Sequence, residues 1–239
     1  MGSLRSALEA RMQPEDAQAF YGRWARLYDV IARRTPGIPA LRRRAAAACR
    51  LEPGDTVVEM GCGTGANLPY LREQVGPEGT VIGLDFTGPV LERARELTSE
   101  YDNVHVVQGD ATRPPLDGID DETTVDAVLA TFVVGMLADP AGAVDDWCDL
   151  VGPGGHVVLA NAARSEEWYA PPVNAVFRAI VVLSTPPTTK LRYENDPHLR
   201  LDEKIDAAHT RLRERSVAVA DETHVFGVVR LTGGRLKAT

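Results

Sequence analysis

The sequence predicts an α/β protein built on a doubly wound, mostly parallel seven-stranded sheet that ends in an antiparallel C-terminal hairpin. Two observations predict this fold class. Short Val-rich runs alternate with helix-length segments from about residue 51 onward, and parallel strands need such crossover connections. The chain then continues into two strand-like runs that are too close in sequence to be parallel, so they should pair as a hairpin.

The five Val-rich runs are predicted to be the parallel strands. Each is bounded by Gly, Asp or Pro and lacks polar alternation, which is typical of strands covered on both faces. They are DTVVEM (55–60), TVIGLD (80–85), VHVVQGD (104–110), VDAVLAT (125–131) and GHVVLAN (155–161). Helical patterns between them are ANLPYLREQV (66–75), GPVLERARELTSEY (88–101) and PAGAVDDWCDLV (140–151).

The hairpin is predicted within RERSVAVADETHVFGVVRLTG (213–233). Its turn is expected around the polar pair Asp221 and Glu222, because clusters of polar residues commonly interrupt strands.

Two further segments flank these elements. Residues 1–50 are expected to form an N-terminal helical cap before a main domain at 51–239, because apolar residues there have helical spacing: Phe20, Trp24, Leu27, Tyr28 and Ile31. This stripe suits either plain helix packing or a cover over a ligand cleft. Residues 162–212 form an insert, which suits either a helix packed on the core or a lid that contacts a hydrophobic acceptor or a membrane surface.

Composition excludes several classes of protein. The 239 residues carry a net charge of −8, and no basic patch favours nucleic acid as a partner. No apolar run has the length of about 18 residues that a membrane span needs, and no signal peptide is predicted. Three cysteines without paired spacing, Cys49, Cys62 and Cys148, indicate a reducing cytoplasm and no disulfide framework.

The stretch VVEMGCGTGANLPYL (57–71) carries the chemistry. Gly61, Gly63 and Gly65 lie between a strand and a helix, where residues without Cβ let a ligand approach the backbone closely. The turn lies at the carboxyl end of a parallel strand, where open sheets bind ligands. The stretch also satisfies the dinucleotide pattern G-x-G-x-x-A, with Asp85 at the end of the next strand, so an NAD(P)-dependent oxidoreductase is one alternative.

Two acidic residues favour a different cofactor. Glu59 lies two residues before Gly61, where a carboxylate would repel a pyrophosphate but would suit an ammonium group. Asp110 ends the third strand at the same edge, where it can accept a hydrogen bond from an adenine amino group while the N–H of Ala111 meets a ring nitrogen. Asp85 and Asp110 also suit an alternative role as helix or turn caps.

Residues 51–161 resemble the class I S-adenosylmethionine-dependent methyltransferases, which have a Rossmann-like sheet. VVEMGCGTG resembles the first motif of that family, GLDFTGPVLERAR the second, QGDATRPPL the third and LVGPGGHVVLAN the motif at strand five. The resemblance implies that S-adenosylmethionine is the cofactor and that Asp85 binds its ribose hydroxyls. The implied cofactor site consists of Tyr21, Tyr28, Glu59, Gly61, Gly63, Gly65, Asn67, Asp85, Phe86, Asp110, Ala111, Thr131 and Phe132.

Two further resemblances indicate the class of methyl acceptor. FYGRWARLYD (20–29) is similar to an arm of methyltransferases that act on phospholipid head groups and quinones, and it would place Tyr21 and Tyr28 over the cofactor. GTGANLPYL (63–71) is most similar to the phosphatidylethanolamine type. The expected acceptor is therefore a small molecule or lipid-like compound such as a phospholipid head group. The alternatives are a quinone-type C-methyltransferase and a non-catalytic cofactor-binding module.

The catalytic residue is not identified by any motif. His198 and His209 fall in the insert and are candidates for a general base, whereas His105 and His156 lie in predicted strands and suit structural roles. No group of residues has the spacing of a metal site, so no metal is expected. The sequence does not determine the oligomeric state.

Overall fold

The computed structural model describes residues 37–116, 124–184 and 197–237. Most of the predicted N-terminal cap, including Tyr21 and Tyr28, lies outside the described residues. The described chain forms α1 (Ile38–Ala48), β1 (Thr56–Met60), α2 (Leu68–Val75), β2 (Thr80–Asp85), α3 (Gly88–Leu97), β3 (Val104–Gln108), β4 (Ala127–Thr131), a short 3₁₀ helix (Val134–Met136), α4 (Pro140–Val151), β5 (His156–Ala162), α5 (Ala170–Ser184), α6 (Pro197–Arg215), β6 (Ser216–His224) and β7 (Val229–Leu236).

The seven strands form one sheet in the order β3-β2-β1-β4-β5-β7-β6. Strands β1 to β5 are parallel, with Val57 opposite Val81 of β2 and Ala127 of β4. Strand β7 is antiparallel to both β5 and β6. This arrangement confirms the predicted fold class of five parallel strands followed by an antiparallel hairpin.

Helices cover both faces of the sheet. All five residues of β1 are buried, which explains why its sequence shows no polar alternation. On one face, Trp147 of α4 and Leu212 of α6 pack in a core cluster with Val58. On the other face, helices α1, α2 and α3 pack against the alternate strand residues, for example Leu71 of α2 against the cluster containing Val57.

The hairpin turn lies four residues beyond its predicted position. Asp221 and Glu222 lie within β6, and the turn is formed by residues 225–228. Each acidic side chain pairs with an arginine outside the turn: Asp221 with Arg213 and Glu222 with Arg44. The prediction was wrong because an exposed edge strand accommodates charged side chains as readily as a turn does.

The insert is partly an ordinary layer of the fold. Ile205, Ala208 and Leu212 of α6 are buried in the main core cluster, so this helix packs on the sheet. The alternative interpretation of the insert at 162–212 as a lid stays a prediction. Among the described residues, no helix combines the length and the apolar character needed to cross a bilayer.

Candidate cofactor site

The glycine turn lies where the parallel strands end. Met60, the final residue of β1, is level with Leu84 of β2 and Ala130 of β4, so the carboxyl ends of these strands share one edge of the sheet. We call this edge the rim. The rim brings together the segments that follow β1, β2 and β4, which contain most of the predicted site residues.

The three glycines of the turn have different roles. All three have positive φ: 70° at Gly61, 55° at Gly63 and 76° at Gly65. A Cβ at Gly61 would lie 2.0 Å from Val133 Cγ2, and one at Gly65 would lie 2.9 Å from Ala94 Cβ. A Cβ at Gly63 would meet no atom of the described residues within 4 Å. Gly61 and Gly65 are therefore needed for packing, and Gly63 is the glycine that faces space a ligand can fill.

Glu59 is fully buried below this turn. Its Oε1 accepts hydrogen bonds from the Asn67 side-chain amide and from Thr131 Oγ1. Its Oε2 is the buried side-chain oxygen or nitrogen that has no hydrogen-bond partner among the described residues. A buried acceptor without a partner carries the desolvation cost of that group, and a hydrogen-bond donor from a ligand would offset this cost.

The charge state of Glu59 is set by competing interactions. Burial raises the pKa of Glu59 to about 7, and the hydrogen bond from Asn67 and the positive charge of Arg42 oppose that rise. An ammonium group placed beside Oε2 would favour the ionised carboxylate. The site therefore fits the amino group of an amino-acid ligand, the contact expected for Glu59, and this contact stays a prediction.

Asp85 joins the end of β2 to the glycine turn. Its Oδ2 accepts a hydrogen bond from Gly63 N–H at 3.0 Å, and its Oδ1 accepts one from Thr87 N–H at 2.8 Å. A carboxylate has about four lone-pair directions, so these bonds orient the group and leave capacity for the two hydroxyls of a ribose. Burial raises the pKa of Asp85 from its usual range. The exposed Phe86 follows it immediately.

Asp110 and Ala111 follow β3, which lies beside β2. Asp110 is exposed, and its Oδ1 accepts hydrogen bonds from the N–H and the hydroxyl of Thr112, both at 2.8 Å. The carbonyl of Ala111 accepts a hydrogen bond from Trp147 Nε1 at 2.8 Å. Both residues are thus fixed by their own contacts. The capping alternative for Asp110 is real, and its proposed contact with adenine stays a prediction.

Phe132 has an unusual backbone at the end of β4. Its φ is 59°, a left-handed conformation that is rare for a bulky residue. Its N–H donates to the carbonyl of Ala160 at 2.8 Å, which holds this conformation in place. Strained residues of this kind are concentrated at functional sites, and the predicted place of Phe132 beside the cofactor stays a prediction.

Of the two candidate general bases, His209 and His198, the structure describes the side chain of His209. His209 is 2% exposed. Its Nδ1 contacts Thr232 Oγ1 at 2.7 Å and its Nε2 contacts Asn161 Nδ2 at 3.3 Å. Both ring nitrogens are thus occupied within the core, which argues against the prediction that His209 is a catalytic base. The side chain of His198 lies outside the described part of the chain.

The direction of these hydrogen bonds identifies the tautomer of His209. Thr232 donates its hydroxyl proton to Asp221, so it accepts from His209 Nδ1–H, and Nε2 accepts from Asn161. Burial, together with the nearby charge of Arg213, lowers the pKa of His209 to about 4. The histidine is therefore neutral and structural at physiological pH.

Arg42 was missed by the sequence analysis. This residue of α1 donates from Nη1 to Asn67 Oδ1 at 2.6 Å, and its charge acts on Glu59. The available signal was the run Arg42-Arg43-Arg44 before β1, but three consecutive arginines do not indicate which one faces a site. Among the described residues, no group of three His, Cys, Asp or Glu side chains is placed to hold a metal ion.

Comparison with known proteins is consistent with this geometry. A family model described as a methyltransferase domain matches residues 58–159, the segment that contains the glycine turn, Asp85 and Asp110. A phosphatidylethanolamine N-methyltransferase of Cereibacter sphaeroides is 35% identical over 153 residues, which are 63% of this chain and 70% of that protein. The chain belongs to the class I S-adenosylmethionine-dependent methyltransferases. S-adenosylmethionine is accordingly the cofactor of this methyltransferase.

Other matches agree on the family and differ in the acceptor. A demethylmenaquinone methyltransferase of Staphylococcus carnosus is 33% identical over 123 residues, covering 52% of this methyltransferase and 49% of that protein. An O-methyltransferase family protein of Burkholderia thailandensis has the same fold, with a TM-score of 0.66 at 16% identity over 95% of this chain and 63% of that one. The chain spans between 30% and 49% of the length of several curated relatives that it matches.

Proposed function

We propose that this protein transfers a methyl group from S-adenosylmethionine to a lipid-like acceptor, with the nitrogen of a phospholipid head group as the foremost candidate. The observation that carries the methyltransferase assignment is the buried Oε2 of Glu59, which has no partner among the described residues. The ammonium of the cofactor supplies the donor that this oxygen needs. Asp85 would bind the ribose, and Asp110 and Ala111 would contact the adenine.

The bound cofactor supplies an electrophilic methyl group on a sulfonium, which leaves readily. The residues of this chain mainly bind, orient and exclude water, since such positioning contributes much of the rate of a displacement reaction. Thr131 and Phe132, at the end of β4, would line the space between cofactor and acceptor. An amine acceptor needs only to be uncharged, which fits the structural rather than catalytic placement of His209.

An apolar ridge supports a lipid-like acceptor. The ridge consists of Trp168, Val225 and Phe226, and Trp168 and Phe226 are 90% and 71% exposed. Because β7 begins at Val229 opposite Ala162 at the carboxyl end of β5, the hairpin turn lies at the rim, on the same edge as the cofactor site. Exposed tryptophan and phenylalanine favour the interface between water and lipid.

The turn that carries Val225 and Phe226 has an unusual backbone conformation. Val225 and Phe226 have φ of 51° and 57°, which is costly for residues with a Cβ. A Cβ on the next residue, Gly227, would lie 2.4 Å from Ser165 Oγ, so the turn packs directly on the segment that leads to Trp168. Exposed apolar side chains on a strained turn, as at Val225 and Phe226, suit transient contact with a membrane surface.

The alternative acceptor is a quinone, methylated on carbon. It is favoured by the similarity to a demethylmenaquinone methyltransferase, whereas the similarity to a phosphatidylethanolamine N-methyltransferase covers more of this chain.

We also propose that the protein is located in the cytoplasm. This assignment is supported by three buried cysteines with free thiols.

The test uses cofactor carrying a labelled methyl group. The protein is incubated separately with phosphatidylethanolamine vesicles, with a demethylated quinone in the same vesicles, and with water-soluble ethanolamine phosphate. Label in phosphatidylethanolamine supports the proposal, and label in the quinone alone supports the alternative. In parallel, S-adenosylhomocysteine and NAD are compared by thermal shift; stabilisation by NAD alone would overturn the methyltransferase assignment.

A further inference from the structure

The amino-acid end of S-adenosylmethionine carries two opposite charges. Glu59 accounts for the ammonium group, but a carboxylate beside a buried glutamate needs a positive group of its own. Burial of an unpaired charge is costly. The site should therefore contain a cation that lies near Glu59 but is not paired with the Glu59 carboxylate, so that it can bind the carboxylate of the ligand.

Arg42 has this position. Its Nη1 donates to Asn67 Oδ1 at 2.6 Å, while the Nδ2 of the same amide donates to Glu59 Oε1. Asn67 therefore separates the guanidinium from the carboxylate, so that the two charges are neighbours without forming a direct ion pair. A zwitterionic amino acid has the complementary arrangement, with its carboxylate toward Arg42 and its ammonium toward Glu59.

The packing of α1 fixes which arginine of the run faces the site. Leu41 and Ala45 are buried against the sheet, and these neighbours anchor the turn of helix that carries Arg42. Arg43 lies over the ring of Tyr70 at 5.6 Å. Arg44 makes two hydrogen bonds to Glu222, at 2.7 and 2.8 Å. Arg42 is thus the member of the run that contacts Asn67, whose amide also bonds to Glu59.

We propose that Arg42 binds the carboxylate of the methionine part of S-adenosylmethionine. A guanidinium has five N–H donors in a planar fork, so it can bond to Asn67 and also hold a carboxylate. This inference rests on the proposed function, because it assigns one more contact to the same cofactor. Asn67 acts as a positioning residue that sets the distance between Arg42 and Glu59.

If Arg42 acted only through its effect on Glu59, a different result would be expected. The positive charge of Arg42 opposes the rise in the pKa of Glu59, so its loss would also weaken binding of the ammonium group. Decarboxylated S-adenosylmethionine separates the two roles, since it keeps the sulfonium, the adenosine and the ammonium and lacks only the carboxylate.

The experiment measures the Kd of both ligands by isothermal titration calorimetry for the wild-type protein, Arg42→Met and the control Arg43→Met. Methionine has a helix propensity close to that of arginine, so α1 should remain intact. We expect Arg42→Met to weaken S-adenosylmethionine by about 10- to 100-fold, the range for a lost charge-assisted contact. Decarboxylated S-adenosylmethionine should change by less than about threefold, and Arg43→Met should change neither Kd.

Equal weakening of both ligands, or no weakening of either, would overturn the assignment of Arg42 while leaving the proposed function intact. Failure of the wild-type protein to bind either ligand would overturn both. If Arg42→Met does not fold, judged by circular dichroism, Arg42→Lys replaces it. Lysine keeps the charge but not the planar fork. Arg42→Lys should therefore also weaken S-adenosylmethionine more than its decarboxylated form, but by a smaller factor than Arg42→Met.

Discussion

Replacement of Glu59 by glutamine should remove a loss of stability that the cofactor-free protein suffers as the pH rises, and it should weaken binding of the cofactor. The folded protein holds the pKa of Glu59 at about 7, compared with an ordinary value of 4.5. Because the folded state binds the proton more tightly, its stability is full at low pH and falls as the pH rises toward 7. Glutamine does not titrate, so Glu59→Gln removes this loss.

The magnitude follows from the two pKa values. One pKa unit corresponds to about 1.4 kcal/mol, so the wild-type protein should lose about 3 kcal/mol relative to Glu59→Gln between pH 4 and pH 8. Any constant cost of the new amide, which places an N–H₂ group where Oε2 has no partner among the described residues, cancels in this difference. The comparison therefore isolates the titration of Glu59.

The assay is urea unfolding of both proteins at several pH values without cofactor, followed by titration with S-adenosylhomocysteine. The stability of the variant relative to the wild-type protein should rise between about pH 4.5 and pH 7 and stay constant at higher pH. Its affinity for S-adenosylhomocysteine should fall by about 10-fold or more. A stability difference that stays constant across the pH range would refute the raised pKa. Unchanged affinity would refute the contact between Glu59 and the ammonium group.

Three other predictions concern separate parts of the molecule. Gly63→Ala should weaken S-adenosylhomocysteine binding in a calorimetric titration and cost only about 1–2 kcal/mol of stability, because the new Cβ enters open space at positive φ; normal affinity would show that no ligand fills this space. His209→Gln should remove an acid-dependent loss of about 3 kcal/mol, because the pKa of His209 is about 4 in the folded protein and the unfolded chain protonates near 6.5. Urea unfolding at pH 7 and pH 4 checks this, and equal acid sensitivity of the two proteins would contradict it. The double variant Trp168→Ser with Phe226→Ser should lower binding to phosphatidylethanolamine vesicles in a flotation assay and leave S-adenosylhomocysteine affinity unchanged, and retained flotation would remove the role of the ridge.

The sequence predicted the parallel strands well because their physical cause is local. A strand buried on both faces has to be largely apolar, and Thr56–Met60 and Ala127–Thr131 have this pattern apart from Thr56, Glu59 and Thr131. The position of the hairpin turn was less predictable. Arg44, which pairs with Glu222, lies 178 residues away in the chain, and no local pattern shows such a partner.

The candidate site was predicted in part for the same reason. Glu59 and Asp85 could be predicted as site residues because each occupies a fixed place relative to a strand end and the glycine turn. Arg42 was not found, because its direction depends on how α1 packs and on the orientation of Asn67 between the two charges. The different roles of Gly61 and Gly63 also depend on which side chains surround the turn, which only the folded structure shows.

The strand order has a consequence for how the sheet is assembled. β7 follows β6 in sequence but lies between β5 and β6, and within the described sheet β6 pairs with β7 alone. The two strands are joined by a short turn at residues 225–228, so β6 and β7 can pair as a local hairpin before either contacts the rest of the sheet. The hairpin joins the sheet through β7, and until it does the edge of β5 is open to pairing with another chain.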